Sequence, residues 1–278
     1  VESRLSIEGL SPGSRFGEAV AIHGEHAAVG TPRFDAEGIW DNGRVDIFMR
    51  NRGEWKLIST LKPPQKMSSM WFGQSLCFSE ANQSIFIGAP GFDTPIDRAG
   101  AVFHAKKNSK GDWNIDGLIQ KNTPVPLERM GMSIAKAGAS IFVGAPGSHT
   151  GATDAGSLVK IQKGPTPSIA GEYSSPPYPY ARLGAIVKGS KEWLACVMPG
   201  TRSPSKGIGK IRMYRVHRNR MHPICEIYSR DIDPPLGQDI AINHQYLIAT
   251  GIYAEDEYPQ PGRVWIFELN HLDFHPSP

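Results

Sequence analysis

Cysteine is scarce in this chain. Its 278 residues hold three, Cys77, Cys196 and Cys225. That is too few and too scattered for a disulfide framework or a zinc knuckle, and their apolar neighbours mark them as small buried thiols. Long apolar runs are missing too: none approaches the ~18 residues of a membrane-spanning helix. The chain does not open on a basic segment followed by an apolar core, so a leader is expected to have been removed or never present. Charge of one sign is not concentrated, since 30 Lys and Arg stand against 27 Asp and Glu. The densest basic run, YRVHRNR from Tyr214 to Arg220, is no longer than a solvated hairpin. No nucleic-acid partner is expected on that balance. Helical periodicity is nearly absent, and no Ser/His/Asp, His-Glu-x-x-His or phosphate-loop signature occurs. No cofactor is expected.

Turn formers are abundant instead, with 30 Gly and 23 Pro. They fall in a repeat. A large apolar residue followed by Gly occurs at Phe16-Gly17, Phe72-Gly73, Met130-Gly131, Leu183-Gly184 and Leu236-Gly237, at intervals of 56, 58, 53 and 53 residues. Each is followed by a polar hairpin and a strand that ends in a stop: AAVGTP, IFIGAP, IFVGAP, ACVMPG and LIATGI. After a variable loop a Gly-led strand starts at Gly43, Gly100, Gly156, Gly209 and Gly262. The second residue after each of these glycines is Val45, Val102, Leu158, Ile211 or Val264, and the fifth is Phe48, Ala105, Ile161, Tyr214 or Phe267. A further β-like piece, such as WKLISTL or WNIDGLI, closes most units.

Four short strands in 53 to 58 residues are the content of a β-propeller blade. The fold expected is therefore all-β, one five-bladed propeller domain over residues 1–278 with blades at 11–63, 64–121, 122–175, 176–229 and 230–278. Residues 3–10, SRLSIEGL, are expected to supply the fourth strand of the last blade and close the ring, removing open sheet edges. The repeated glycine is expected where innermost strands crowd together.

The stretches RFGEAVAIHGEHAAVGTP, WFGQSLCFSEANQSIFIGAP and RMGMSIAKAGASIFVGAP resemble FG-GAP repeats, the blade unit of integrin α subunits and of many extracellular proteins. The resemblance covers essentially the whole chain and degenerates in the last two units. It implies an extracellular or secreted setting. Integrin-type propellers have seven blades against five here, and their calcium loops lie between strands that short hairpins join here. Calcium binding is not carried over.

In a propeller the loops between strands two and three share a face with the connections between blades. Residues on that face are the binding candidates. The residue preceding each apolar-Gly pair is Arg15, Trp71, Arg129 or Arg182 in the first four units, a set suited to an acidic ligand or a stacked sugar. Trp40, Phe92, Tyr180, Tyr253 and Tyr258 lie in the same loops as aromatic anchors. Asp35, Glu37 and Asp41 are the weak metal candidates, with solubilising loop acids as the plainer reading. His23 and His26 share one hairpin and read as exposed turn residues. Glu18 and Asp239 are the carboxylates available to an enzyme. On these residues the chain is expected to be a non-catalytic recognition module for a protein or carbohydrate ligand. The alternatives are a glycan-processing enzyme with carboxylates at the central cavity, a lectin, and a structural spacer.

Overall fold

The computed structural model describes residues 3–79, 84–93, 95–164, 166–174, 178–202, 208–218, 220–228, 236–251 and 262–269. Their strands make five antiparallel sheets, the blades of a five-bladed β-propeller. Blade one is β1 (Ala19–His23), β2 (His26–Thr31), β3 (Arg44–Asn51) and β4 (Glu54–Leu61); blade two is β5 (Ser75–Phe78), β6 (Ser84–Ala89), β7 (Ala101–Lys107) and β8 (Trp113–Ile119). Blade three is β9 (Ser133–Ala137), β10 (Ser140–Ala145), β11 (Ser157–Gln162) and β12 (Ser168–Ser174). Blade four is β13 (Ile186–Ser190), β14 (Trp193–Arg202), β15 (Ile208–His217) and β16 (Arg220–Tyr228), and blade five is β17 (Leu236–Ile242), β18 (Tyr246–Gly251) and β19 (Arg263–Glu268). Every sheet keeps its strands in chain order. Among the described residues no helix is long and apolar enough to cross a membrane.

The chain divides into two compact units, Val1–Ile134 with Pro165–Pro167, and Ala135–Gly164 with Ser168–Pro278. In the first, Val45, Ile47 and Leu61 from blade one interleave with Phe72, Leu76, Ile87 and Phe103 from blade two. In the second, Ile211, Met213, Val197 and Ala195 pack with Ile240, Leu247 and Ala249, and Leu158 with Leu183, Val187 and Cys196. Burial of each large side chain contributes about 1.5–3 kcal/mol before ordering costs. None of the three cysteines is in a disulfide, and burial pushes the Cys196 thiol up.

The two apolar landmarks of the Gly-led strand now have a cause. Val45 and Phe48 are three residues apart and so face opposite sides of β3, and both are buried because both sides are covered. A register shift falls directly before the fifth residue in four blades, at Ile47/Phe48, His104/Ala105, Lys160/Ile161 and Met213/Tyr214. Such bulges sharpen the right-handed twist of the outer strand pair.

The apolar-Gly pair is a turn. Glu18 N donates to Arg15 O at 3.1 Å with Gly17 at φ 91°, and the bond recurs from Gln74 to Trp71, Met132 to Arg129 and Ala185 to Arg182. This is a type II turn, which needs a positive φ at its third residue. The glycine is thus demanded by backbone conformation, and the crowding expected there comes from the neighbouring blade. A Cβ on Gly131 would stand 2.5 Å from Ala101 O, whereas one on Gly17 would meet nothing within 4 Å. The glycine of the GAP stop serves the same contact: Cβ atoms on Gly30 and Gly88 would lie 2.0 and 2.1 Å from the carbonyl oxygens of Gly73 and Gly131.

The N-terminal expectation is not met. Residues 3–10 form no strand, and blade five has three strands among the described residues. Leu5 and Ile7 alternate with exposed neighbours as in a strand, but a turn at Glu8-Gly9, with Gly9 at φ 74°, ends the extended run before any ladder forms.

Candidate functional site

In the first unit, the β2–β3 loop and the crossover into blade two meet. Arg33 Nη1 donates to Asp41 Oδ2 at 2.7 Å, and Asp41 N donates to Asp35 Oδ1 at 2.8 Å. The Arg33 guanidinium lies 5.3 Å from the centroid of the Trp71 ring, a cation–π stacking that contributes about 0.5–1 kcal/mol where solvent reaches it. Trp71 N donates to Asp41 O at 3.0 Å, and Ser69 N to Trp40 O at 2.8 Å. Arg33 N reaches Ser14 O at 3.2 Å, which brings Arg15 beside the group; Arg15 Nη1 stands 3.4 Å from Glu18 Oε1. Trp40 presents its ring to solvent at 74% exposure. The Trp71 Nε1 is buried without a hydrogen-bond partner among the described residues.

Of the expected residues, then, Arg15, Trp40, Trp71, Asp35 and Asp41 share one neighbourhood. Glu37 turns instead to Lys66, whose hydrogen bond and charge hold its carboxyl below the ordinary range. Asp35, Glu37 and Asp41 therefore each answer a different protein group. Arg33, which organises the cluster, was not among the sequence candidates. Its only sequence mark is its place after the Pro32 stop, and the Trp71 that it covers is 38 residues away.

The four residues before the apolar-Gly pairs share a backbone state that their side chains do not favour. Arg15, Trp71, Arg129 and Arg182 have φ of 59°, 54°, 57° and 56°. The left-handed region costs a non-glycine residue about 1–2 kcal/mol, and the surroundings must over-determine it. They do: the amides of Trp71, Arg129 and Arg182 each donate to the preceding blade's loop, at Asp41, Arg98 and Asp154. Arg182 is exposed, while Arg129 is half-buried with Nε lacking a hydrogen-bond partner among the described residues.

Phe92 is not presented as a ligand anchor. It is buried edge-on against Phe103, with ring centroids 5.6 Å apart, because the GFD turn folds its aromatic ring into the blade core. Tyr180 is exposed, its amide bonded to Thr153 O at 2.8 Å. Tyr253 and Tyr258 lie outside the described residues. Asp239 closes a local loop, accepting from Ile240 N at 2.8 Å while its own amide donates to Thr250 Oγ1 at 3.1 Å. In the second unit the sequence did not flag Lys210, whose ammonium sits 4.7 Å over Tyr178 and 3.3 Å from Glu226.

His23 is exposed as expected, but its hairpin partner is not. His26 is buried edge-on against Trp113, with Nε2 3.4 Å from Lys107 Nζ, because the first hairpin abuts β7 and β8. Burial first, and then the Lys107 charge, push its pKa below 6.5. A depressed imidazole pKa means that the unfolded chain binds a proton that the folded one refuses. Stability is therefore full above about pH 6.5 and falls as pH drops toward the folded pKa. The thermal midpoint, followed by circular dichroism from pH 7.5 to 5, is expected to decline, and the decline should be shallower in His26→Gln. An equal slope in the two proteins would assign it to other groups.

No protein-family model matches the sequence, and no curated protein matches it. Solved structures do. A candidate 6-phosphogluconolactonase from Bacteroides fragilis superposes with a TM-score of 0.57 at 11% identity, over 91% of this chain and 67% of that one. A protein from Lactobacillus plantarum gives 0.53 at 9% identity, over 90% and 70%, and the periplasmic gluconolactonase of Pseudomonas aeruginosa gives 0.53 at 10%, over 84% and 64%. The chain thus spans about two thirds of the length of these structures. Their names overturn the expectation of a non-catalytic recognition module and of a chain that is not an enzyme, since two of the three carry the names of sugar-lactone hydrolases. They lend no support to an integrin-like, adhesive or lectin-like reading. At these identities the likeness shows the fold alone, a β-propeller.

Proposed function

We propose that this chain is a glycan-processing enzyme acting on the lactone of a sugar acid, with its site at the Arg15, Arg33 and Trp71 cluster of blade one. The observation that carries this reading is the Arg33 guanidinium, paired with Asp41 and set against the Trp71 indole, with the Arg15–Glu18 pair next to it along the chain from Ser14 and the exposed Trp40 indole in the same loop. The lactonase names of proteins with the same fold support the reaction class.

Lactone hydrolysis adds water to the carbonyl carbon, breaks the ring C–O bond and leaves a carboxylate on the product. Glu18 directly precedes the inner strand of blade one, with its carboxylate half-exposed beside Arg15; it is the group to take a proton from the attacking water and to return it to the ring oxygen as the C–O bond breaks. Arg15 and Arg33 stabilise the charge that develops on the carbonyl oxygen and then hold the product carboxylate, a task for planar cationic donors. Trp40 offers an aromatic face to the sugar ring. The blade units retain the FG-GAP resemblance, supported by the seating of the turn glycines Gly73, Gly131 and Gly184 on Gly30, Gly88 and Gly144 of the blade before. A secreted or periplasmic setting agrees with the periplasmic neighbour.

The test is turnover of gluconolactone and 6-phosphogluconolactone, followed by acid release at constant pH. Glu18→Gln is expected to lower kcat by about 100-fold or more, and Arg33→Ala to raise KM for both substrates. Wild-type turnover that persists unchanged in both variants would remove the site from this cluster.

A further inference from the structure

The charges of the blade-one cluster are fixed in place by backbone bonds between two segments. The loop of residues 33–42 is tied along the crossover to blade two: Asn42 Nδ2 donates to Met67 O at 3.0 Å, Ser69 N to Trp40 O at 2.8 Å and Trp71 N to Asp41 O at 3.0 Å. The side chains that the loop and crossover carry are thereby gathered on one side of the first unit.

The cations of this group are already answered. Arg15 meets Glu18, Arg33 meets Asp41 and Lys66 meets Glu37. After Lys66, the charge of Lys62 adds a smaller pull on the same Glu37 carboxylate. Asp35 is the remaining carboxylate. It is exposed, its Oδ1 accepts from the Asp41 amide at 2.8 Å, and it has no ion pair among the described residues. The group therefore holds no cation in excess of its carboxylates.

That balance suits a substrate that develops one charge and no more. A guanidinium carries five N–H donors, so Arg15 and Arg33 keep donors for the charge that forms at the carbonyl while each holds its carboxylate. A phosphate monoester adds about two negative charges at neutral pH. Those charges call for guanidinium or ammonium groups that no carboxylate has neutralised. Here the group left unmatched is itself an anion.

We propose, resting on the reading of this cluster as a lactone-opening site, that it selects the uncharged sugar-acid lactone and turns away the 6-phosphate, with Asp35 as the residue that sets the choice. Specificity of this kind comes from repulsion of the wrong substrate as much as from attraction of the right one.

The test compares kcat/KM for gluconolactone and 6-phosphogluconolactone. The wild type is expected to favour gluconolactone by about tenfold or more, the scale of an unmatched charge facing a dianion in water. Asp35→Asn keeps a carbonyl oxygen for the Asp41 amide and removes the charge, and Glu37→Gln releases the Lys66 ammonium. Each is expected to shift the ratio toward the 6-phosphate by about tenfold. Salt raised to ~1 M, where the Debye length is about 3 Å, is expected to narrow the wild-type ratio. A structural role for Asp35 would lower both rates together and leave the ratio and its salt dependence unmoved, which would overturn the assignment. A wild type that turns over both substrates and treats them alike, or prefers the 6-phosphate, would overturn the selectivity and leave the lactone reading standing. A wild type that turns over neither removes that reading and the selectivity with it.

Discussion

Gly131→Ala is expected to destabilise the protein by about 2–5 kcal/mol, enough to remove much of the ~5–15 kcal/mol that holds a typical domain folded. Two costs combine. At φ 93° an alanine pays about 1–2 kcal/mol for the left-handed backbone. Its Cβ would also stand 2.5 Å from Ala101 O and 3.0 Å from Ala89 N. Both are backbone atoms fixed in the β6–β7 ladder, so the strain of overpacking, about 1–3 kcal/mol, is not relieved by a side-chain rotation. Gly17→Ala separates the two costs. Its φ is 91° and its surroundings are empty, so only the conformational loss of about 1–2 kcal/mol is expected. Urea unfolding of both variants checks this, and equal losses would show that the crowding between blades contributes nothing.

Asp46→Ala is expected to cost about 3–5 kcal/mol. The Asp46 side chain is 0% exposed and accepts two bonds from Arg44, at 3.0 and 2.5 Å, and one from Thr60 Oγ1 at 2.7 Å. Arg44 is itself nearly buried and stacked on Phe34, its Cζ 5.0 Å from the ring centroid. Deleting the carboxylate leaves a desolvated guanidinium without its anion, and that orphaned charge, rather than the lost attraction, sets the penalty. Arg44→Met with Asp46→Leu together should therefore be close to neutral. Glu37→Ala, which removes an ion pair exposed on both sides, should change stability by less than about 1 kcal/mol. Guanidinium unfolding midpoints of the three proteins decide the matter; a double variant as unstable as Asp46→Ala would contradict the orphan-charge account.

The blades were legible because their determinants are local. Period-two burial and a glycine where a type II turn needs one recur within every 53 to 58 residues, and a proline marks the stop in the first four units. What escaped the sequence depends on neighbours distant along the chain. Arg15, Trp71, Arg129 and Arg182 belong to residue types that rarely adopt a left-handed φ. Trp71, Arg129 and Arg182 do so here because their turn is docked on the preceding blade's loop. Phe92 carries the composition of a loop anchor, yet the turn that bears it points into the Phe103 core. His26 looks like a turn residue until the β7–β8 hairpin covers it. The N-terminal strand failed for the opposite reason, since alternation in SRLSIEGL promises an extended segment but does not supply a ladder partner. The candidate site was legible in part as residue types. Its aromatic and cationic residues stand out as types, but the Arg33 stacking on Trp71 arises only once blade one's loop lies on the crossover to blade two.

Processing of a sugar-acid lactone is the activity proposed for the blade-one cluster. A lactone also opens in water unaided, so the most direct measurement is the rate of acid release from gluconolactone with the wild-type chain, set against the spontaneous rate and against Glu18→Gln at equal concentration. Saturable, enzyme-proportional release is expected, falling by about 100-fold or more in the variant. Release at the spontaneous rate with the folded wild type, for gluconolactone and its 6-phosphate alike, would contradict it.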